Sequence, residues 1–101
     1  MPLLSNLARE IERISNEHGF NWDITDHYKL ATALALIHSE VSEALEALRD
    51  GNTEGVAEEL IDVIIRSLDL LARLNVNVDE KLLQKIQVNK NRPIKHGHKY
   101  F

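Results

Sequence analysis

Apolar residues recur at helical spacing in four separate segments of the chain, a pattern typical of amphipathic helices. Leu4, Leu7, Ile11 and Ile14 show this spacing near the N-terminus. The segments cover about 3–18, 25–49, 53–74 and 79–91. No stretch alternates apolar and polar residues over a length that would predict a strand. The sequence therefore predicts an all-α fold of four helices.

The second and third segments are the longest, and only a short turn at Asp50-Gly51-Asn52 separates them. We expect them to be antiparallel neighbours in an arrangement of the four-helix-bundle type. A helical wheel centres the core face of the second segment near Leu34, Val41 and Leu45. Such broad apolar faces are difficult to cover within a small monomer, so we expect a homo-oligomer, either a dimer or a tetramer.

The chain has 101 residues and no cysteine. This length predicts a single domain over 1–101, and the lack of cysteine excludes a disulfide scaffold, a thiolate zinc site and a cysteine nucleophile. Neither a long apolar run nor a basic leader is visible, so we expect a cytoplasmic protein with no membrane partner.

Charge is distributed unevenly along the chain. Residues 1–80 carry 16 acidic and 6 basic side chains, whereas residues 81–101 carry 6 basic and no acidic ones. We interpret 92–101 as a basic C-terminal tail. An acidic body with a basic tail fits either nucleic-acid binding by the tail or a site that holds a cation and a polyanion together.

Two carboxylate pairs have the spacing that the second interpretation requires. Glu40 and Glu43 lie three residues apart in the second segment, and Glu59 and Asp62 do so in the third. Side chains at this spacing project from one side of a helix. Two antiparallel helices would bring the four carboxylates together, and oxygen ligands of this kind suit Mg²⁺ or Mn²⁺.

Surface helices are rich in glutamate, so the position of each carboxylate on its helix matters. Glu40 falls among alanines and leucines on the wheel, whereas Glu46 falls on the polar arc. A carboxylate in an apolar sector has to be paired, protonated or metal-bound. The third segment is less decisive, because Arg66 and Arg73 follow Asp62 and Asp69 by four residues and could form ordinary surface ion pairs with them.

These motifs resemble the MazG-like all-α nucleoside triphosphate pyrophosphohydrolases. The resemblance covers EVSEALEA at 40–47, EELIDVIIRSLDLL at 58–71 and KIQVNKNRPIKHGHKYF at 85–101. It implies Mg²⁺-dependent hydrolysis of a nucleoside or deoxynucleoside triphosphate to the monophosphate and pyrophosphate, in nucleotide-pool control or house-cleaning. Glu40, Glu43, Glu59 and Asp62 match the family's metal-binding positions, and one of these catalytic carboxylates would orient or deprotonate the attacking water. Mn²⁺ is the expected substitute metal.

The triphosphate that this reaction requires also needs positive charge, and the end of the chain supplies it. Lys85, Asn89 and Arg92 lie on one helical stripe that suits a phosphate clamp, and Lys95 and Lys99 are further candidates. Solubility and helix-dipole matching are the alternative explanation for these charges.

The connection after the first segment is rich in aromatics. Trp22 is the only tryptophan and could stack on a nucleobase, with His18 or Asn21 reading the base edge. An apolar anchor for the first helix is an equally good interpretation of Trp22. Phe20 is assigned to packing.

A non-enzymatic helical module is the competing function, with the basic tail binding nucleic acid or a protein partner. We expect no nucleic-acid partner, because the acidic body would repel a duplex. Glu40→Gln and Asp62→Asn separate the two functions, since a metal hydrolase would lose activity and a binding module would be unaffected.

Overall fold

The computed structural model describes residues 2–92, which form four α-helices and no strand. The helices are α1 (Leu3–Glu17), α2 (His27–Arg49), α3 (Thr53–Arg73) and α4 (Val78–Lys90). The all-α prediction is confirmed, and α2 and α3 are the longest helices, with 23 and 21 residues. The phosphate-binding predictions for Lys95 and Lys99 lie outside the described residues.

Local side chains set where three of the helices begin. Asp26 caps α2 by accepting hydrogen bonds from the backbone N–H groups of Tyr28 and Lys29. Asn52 caps α3, and Asn77 caps α4. The side-chain oxygen of Asn52 accepts a hydrogen bond from the N–H of Gly55 at 2.9 Å.

The turn between α2 and α3 makes these helices an antiparallel pair. Gly51 adopts a φ of 71°, a left-handed conformation that suits the end of a helix. The side chain of Ala47 lies beside Gly55 close to the turn, and further from it Glu40 contacts Arg66. The predicted antiparallel packing is therefore confirmed.

The central helix of the fold is α3, which packs against both α2 and α1, while the shorter α4 lies against α1 and α3. Ala8, Leu68, Ala72 and Val78 form the buried centre where α1, α3 and α4 meet. These are mostly small side chains, so the helices approach one another closely. A separate cavity lies where α1, α2 and α3 converge.

An acidic side chain of α4 caps the first helix. The Asp79 carboxylate accepts hydrogen bonds from the backbone N–H groups of Leu4 and Ser5, both at 3.0 Å. In return, the Ser5 hydroxyl accepts one from the N–H of Val78 at 2.9 Å. Pro2, at the N-cap of α1, makes no such side-chain hydrogen bond. The start of α4 thus provides the hydrogen-bond acceptors for the free backbone N–H groups at the start of α1.

The predicted core face of α2 is wrong. Leu34, Val41 and Leu45 are each about half exposed, whereas Ala33, Glu40 and Ala44 are buried. The alanine face allows α2 to approach α3 closely, and the leucine face points away from the rest of the chain. None of the helices within residues 2–92 has the length and apolar character needed to cross a membrane.

Candidate metal and ligand site

Three of the four predicted carboxylates come together where α2 faces α3. One carboxylate oxygen from each of Glu40, Glu43 and Glu59 lies within 4.8 Å of the other two. Glu40 is only 8% exposed, as its position on the helical wheel predicted. Glu59 is half-buried and Glu43 is exposed, so the group extends from the interior to the surface.

The protonation of this group reflects the crowding of its charges. The Oε2 atom of Glu59 is buried and has no hydrogen-bond partner among the described residues. A side-chain hydrogen bond with Glu40, together with burial and the nearby Glu43, raises the pKa of Glu59 to about 7. The same hydrogen bond with Glu59 lowers the pKa of Glu40, helped by Arg66 and opposed by burial. Two adjacent carboxylates thus share one proton unless a cation takes its place.

Within residues 2–92, Arg66 contributes the one ion pair of this group. Its Nε donates to Oε1 of Glu40 at 3.0 Å, across the α2–α3 interface. The sequence paired Arg66 with Asp62 on its own helix, and that prediction is wrong. Arg66 reaches Glu40 because the buried carboxylate has no water to solvate it.

Asp62 lies next to this group without being part of it. Its side chain is exposed and lines the same cavity as Glu40 and Arg66. The clustered oxygens of Glu40, Glu43 and Glu59 do not include one from Asp62. A site of four carboxylates therefore stays a prediction, with three of the four residues brought together.

The cavity beside these carboxylates has a volume of about 440 Å³. Its wall is mostly apolar, and its aromatic part comes from the connection between α1 and α2. Phe20 and Trp22 stack with ring centroids 5.9 Å apart and an interplanar angle of 23°. Trp22 and Phe20 both line the cavity, and the base-binding role of Trp22 stays a prediction. His18 is exposed and does not line this cavity.

A buried ion pair fixes the far side of the cavity. Nε of Arg73 donates to Oδ1 of Asp69 at 2.8 Å, and both side chains are less than 10% exposed. Arg73 also donates to Oδ1 of Asn16 and to the carbonyl oxygen of Phe20. The sequence predicted an ordinary surface pair here, but the pair is interior and ties α3 to the aromatic connection.

The cationic stripe of α4 lies elsewhere on the molecule. Lys85 lines a separate apolar groove between α3 and α4, and Asn89 and Arg92 are exposed. None of the three lines the cavity that holds Glu40 and Asp62. Their phosphate-binding role stays a prediction.

Sequence reasoning missed the contributions of Arg66, Asp69 and Arg73 to this site. A signal for them was present, since charged residues recur at intervals of three and four along one side of α3. This charged stripe consists of Glu59, Asp62, Arg66, Asp69 and Arg73. Such a stripe on a helix that is otherwise apolar predicts a polar face directed at a site, and the pairwise interpretation of its charges obscured it.

The ligand atoms that the carboxylate cluster offers fit a hard divalent cation. Glu40, Glu43 and Glu59 offer only oxygen, and the buried Oε2 of Glu59 has no hydrogen-bond donor within residues 2–92. Mg²⁺ is bound in this way, through a few carboxylates with its remaining positions left to water and phosphate. A bound cation would favour the ionised form of Glu59, whose pKa the hydrogen bond with Glu40, burial and the nearby carboxylates raise.

No protein-family model, curated protein or solved structure matches this chain.

Proposed function

We propose that this chain is a Mg²⁺-dependent nucleoside triphosphate pyrophosphohydrolase of the MazG-like kind. One observation carries the proposal: a cluster of three carboxylates includes the buried Glu40, and Glu40 also lines a cavity with a stacked aromatic wall. Cation ligands and a surface for a planar base are the two elements that hydrolysis of a nucleotide requires side by side.

The carboxylate cluster supports the metal part of this proposal. Glu40, Glu43 and Glu59 would hold Mg²⁺, and Asp62 lies at the cavity beside them. When bound, Mg²⁺ would neutralise the triphosphate and polarise its phosphoryl oxygens. Without such a cation, this group of carboxylates would repel a triphosphate.

The cavity supports the nucleotide part. Phe20 and Trp22 provide an aromatic surface on which a base can stack, close to the carboxylates. Arg66 also lines the cavity, and its guanidinium has N–H groups beyond the one that Glu40 accepts. These groups are available to orient a ligand through hydrogen bonds.

A second copy of the chain is part of the proposal. The exposed apolar faces of α2 and α3 include Leu34, Val41, Leu45, Leu60 and Ile64, each about half exposed. A second copy that covered these side chains would bury apolar area, and a standard interface buries roughly 800 Å² from each partner.

The second copy also supplies a route to the phosphates. The α4 stripe of Lys85, Asn89 and Arg92 is absent from the cavity of its own chain. A partner that packs on the apolar faces would bring its own stripe to the triphosphate. A role in nucleotide-pool control or house-cleaning and a cytoplasmic location accompany this proposal.

The test is pyrophosphate release from a panel of ribo- and deoxyribonucleoside triphosphates, with Mg²⁺, with Mn²⁺ and with EDTA. We expect metal-dependent pyrophosphate and a nucleoside monophosphate, and a loss of at least about a hundredfold in kcat/KM for Glu59→Gln. Release of inorganic phosphate and a diphosphate would contradict the proposed reaction.

Glu58→Gln is the matched control for Glu59→Gln. Glu58 is the adjacent residue of α3, and its side chain is exposed. The control changes the net charge by the same amount without touching the cluster. Equal loss in both variants would argue for a general charge effect. If the panel yields no pyrophosphate, and Glu40→Gln leaves nucleic-acid or protein binding intact, the non-enzymatic helical module becomes the better account.

A further inference from the structure

Asp69 places a buried carboxylate on the wall of the cavity. Its side chain is 8% exposed, and it lines the cavity together with Trp22 and Leu70. Oδ1 accepts the hydrogen bond from Nε of Arg73 at 2.8 Å. Because Arg73 also binds Asn16 and Phe20, the carboxylate is fixed relative to the aromatic wall.

The other oxygen of this carboxylate is available to a ligand. Oδ2 of Asp69 accepts no hydrogen bond from residues 2–92. Oδ2 belongs to a carboxylate that pairs with the Arg73 guanidinium, so it offers a ligand a hydrogen-bond acceptor. In a low-dielectric cavity, an acceptor left without a donor is costly, and one that faces another acceptor is costlier still.

We propose that Asp69 selects nucleotides whose base carries an exocyclic amino group over those with an oxo group at that position. An amino group donates N–H to Oδ2, whereas a carbonyl oxygen would set two acceptors against each other. The neighbouring guanidinium of Arg66 supplies donors for the ring nitrogen or carbonyl beside the amino group. This inference rests on the proposed nucleotide site and assigns it a substrate class.

The test compares two nucleotides at a time whose bases differ only in carrying an amino or an oxo group at the same position. Binding of the α,β-imido analogues of CTP against UTP, and of ATP against ITP, is measured with Mg²⁺ through the fluorescence of Trp22, the only tryptophan. In whichever pair binds more tightly, we expect the amino-bearing nucleotide to have a Kd at least about tenfold lower. Equal Kd values, or tighter binding of the oxo-bearing nucleotide, would overturn the proposal.

Asp69→Asn extends the test, because an amide can turn its N–H group toward a carbonyl oxygen. We expect the ratio of the two Kd values to fall to about one or to reverse. Glu46→Gln, an exposed carboxylate-to-amide change on α2, should keep the wild-type ratio. Should the loss of the buried partner of Arg73 unfold Asp69→Asn, the wild-type comparison still decides the proposal.

Failure of this inference is distinguishable from failure of the proposed function. Triphosphates that bind and release pyrophosphate without any amino preference would overturn only the role of Asp69. Absence of both nucleotide binding and pyrophosphate release would overturn the proposed function and this inference with it.

Discussion

Glu40 and Glu59 illustrate how much the surroundings of a carboxylate decide at the scale of single residues. Both are glutamates, yet Arg66 donates a hydrogen bond to Glu40, whereas no described residue donates one to Oε2 of Glu59. Hydrogen bonding with Glu40 consequently raises the pKa of Glu59 to about 7. Above that pH the cation-free chain holds two adjacent negative charges, which opposes folding.

Replacing Glu59 should therefore have opposite effects with and without metal. At pH 8 in EDTA, we expect Glu59→Gln to raise Tm by several degrees, because it removes the repulsion with Glu40. Mg²⁺ at about a hundred times its Kd should stabilise the wild type by about 2.7 kcal/mol and leave the variant unaffected. Calorimetric or circular-dichroism melts at one protein concentration test this.

Exposed Glu46 provides the control for that experiment. Glu46→Gln should melt like the wild type and respond to Mg²⁺ to the same extent, because Glu46 pairs only with Arg49 at the surface. A wild-type protein that Mg²⁺ does not stabilise would contradict the assignment of the cluster as a cation site.

At the scale of helices, the capping of α1 depends on a residue 75 positions away in the chain. Hydrogen bonds from the N–H groups of Leu4 and Ser5 hold the pKa of Asp79 below its ordinary value. Asp79→Ala should lower Tm by several degrees at neutral pH, because it leaves the first turn of α1 uncapped. Thermal melts of the variant and of the control Glu46→Ala check this.

The pH dependence of the Asp79 cap has a definite sign. A carboxyl with a lowered pKa in the folded state stabilises the protein fully above its unfolded pKa, near 3.8. That stability is lost as the pH falls through the lower, folded value. The difference in Tm between wild type and Asp79→Ala should therefore be constant above pH 5 and shrink below pH 4. A difference that grew in acid would contradict this cap.

At the scale of the whole molecule, the described residues bury mainly small apolar side chains. The buried apolar residues within 2–92 are four alanines, two leucines and one valine, while many larger side chains on α2, α3 and α4 are exposed. Burying these exposed faces would supply stability at about 25 cal/mol per Å². The proposed second copy, which carries the same faces, would cover them.

Val41→Glu tests this interface, because it places a charge at the middle of the exposed apolar face of α2. We expect the wild type to be a dimer or tetramer by light scattering, and the variant to dissociate at least about tenfold more readily on dilution. Thr32→Glu, on the exposed polar side of the same helix, should assemble as the wild type does. A wild-type monomer at micromolar concentration would contradict the proposed second copy.

The sequence alone determined the helices and singled out the three carboxylates that cluster between α2 and α3. Helix limits could be predicted because spacing, glycines and capping residues act within a few positions of each other, as Asp26 and Gly51 do. The burial of Glu40 could be predicted from the helical wheel of α2 alone, because alanines and leucines surround it there. Interactions of this local kind can be derived without knowing how the helices pack.

Only the tertiary structure decided which residues meet across helices. The wheel could not tell that the alanine face of α2, rather than the leucine face, packs on α3, because both faces are apolar. Spacing along α3 likewise suggested Asp62 as the partner of Arg66, whereas Arg66 pairs with the buried Glu40 of α2. Partners of this kind depend on close approach and desolvation, which arise from packing between segments distant in the chain.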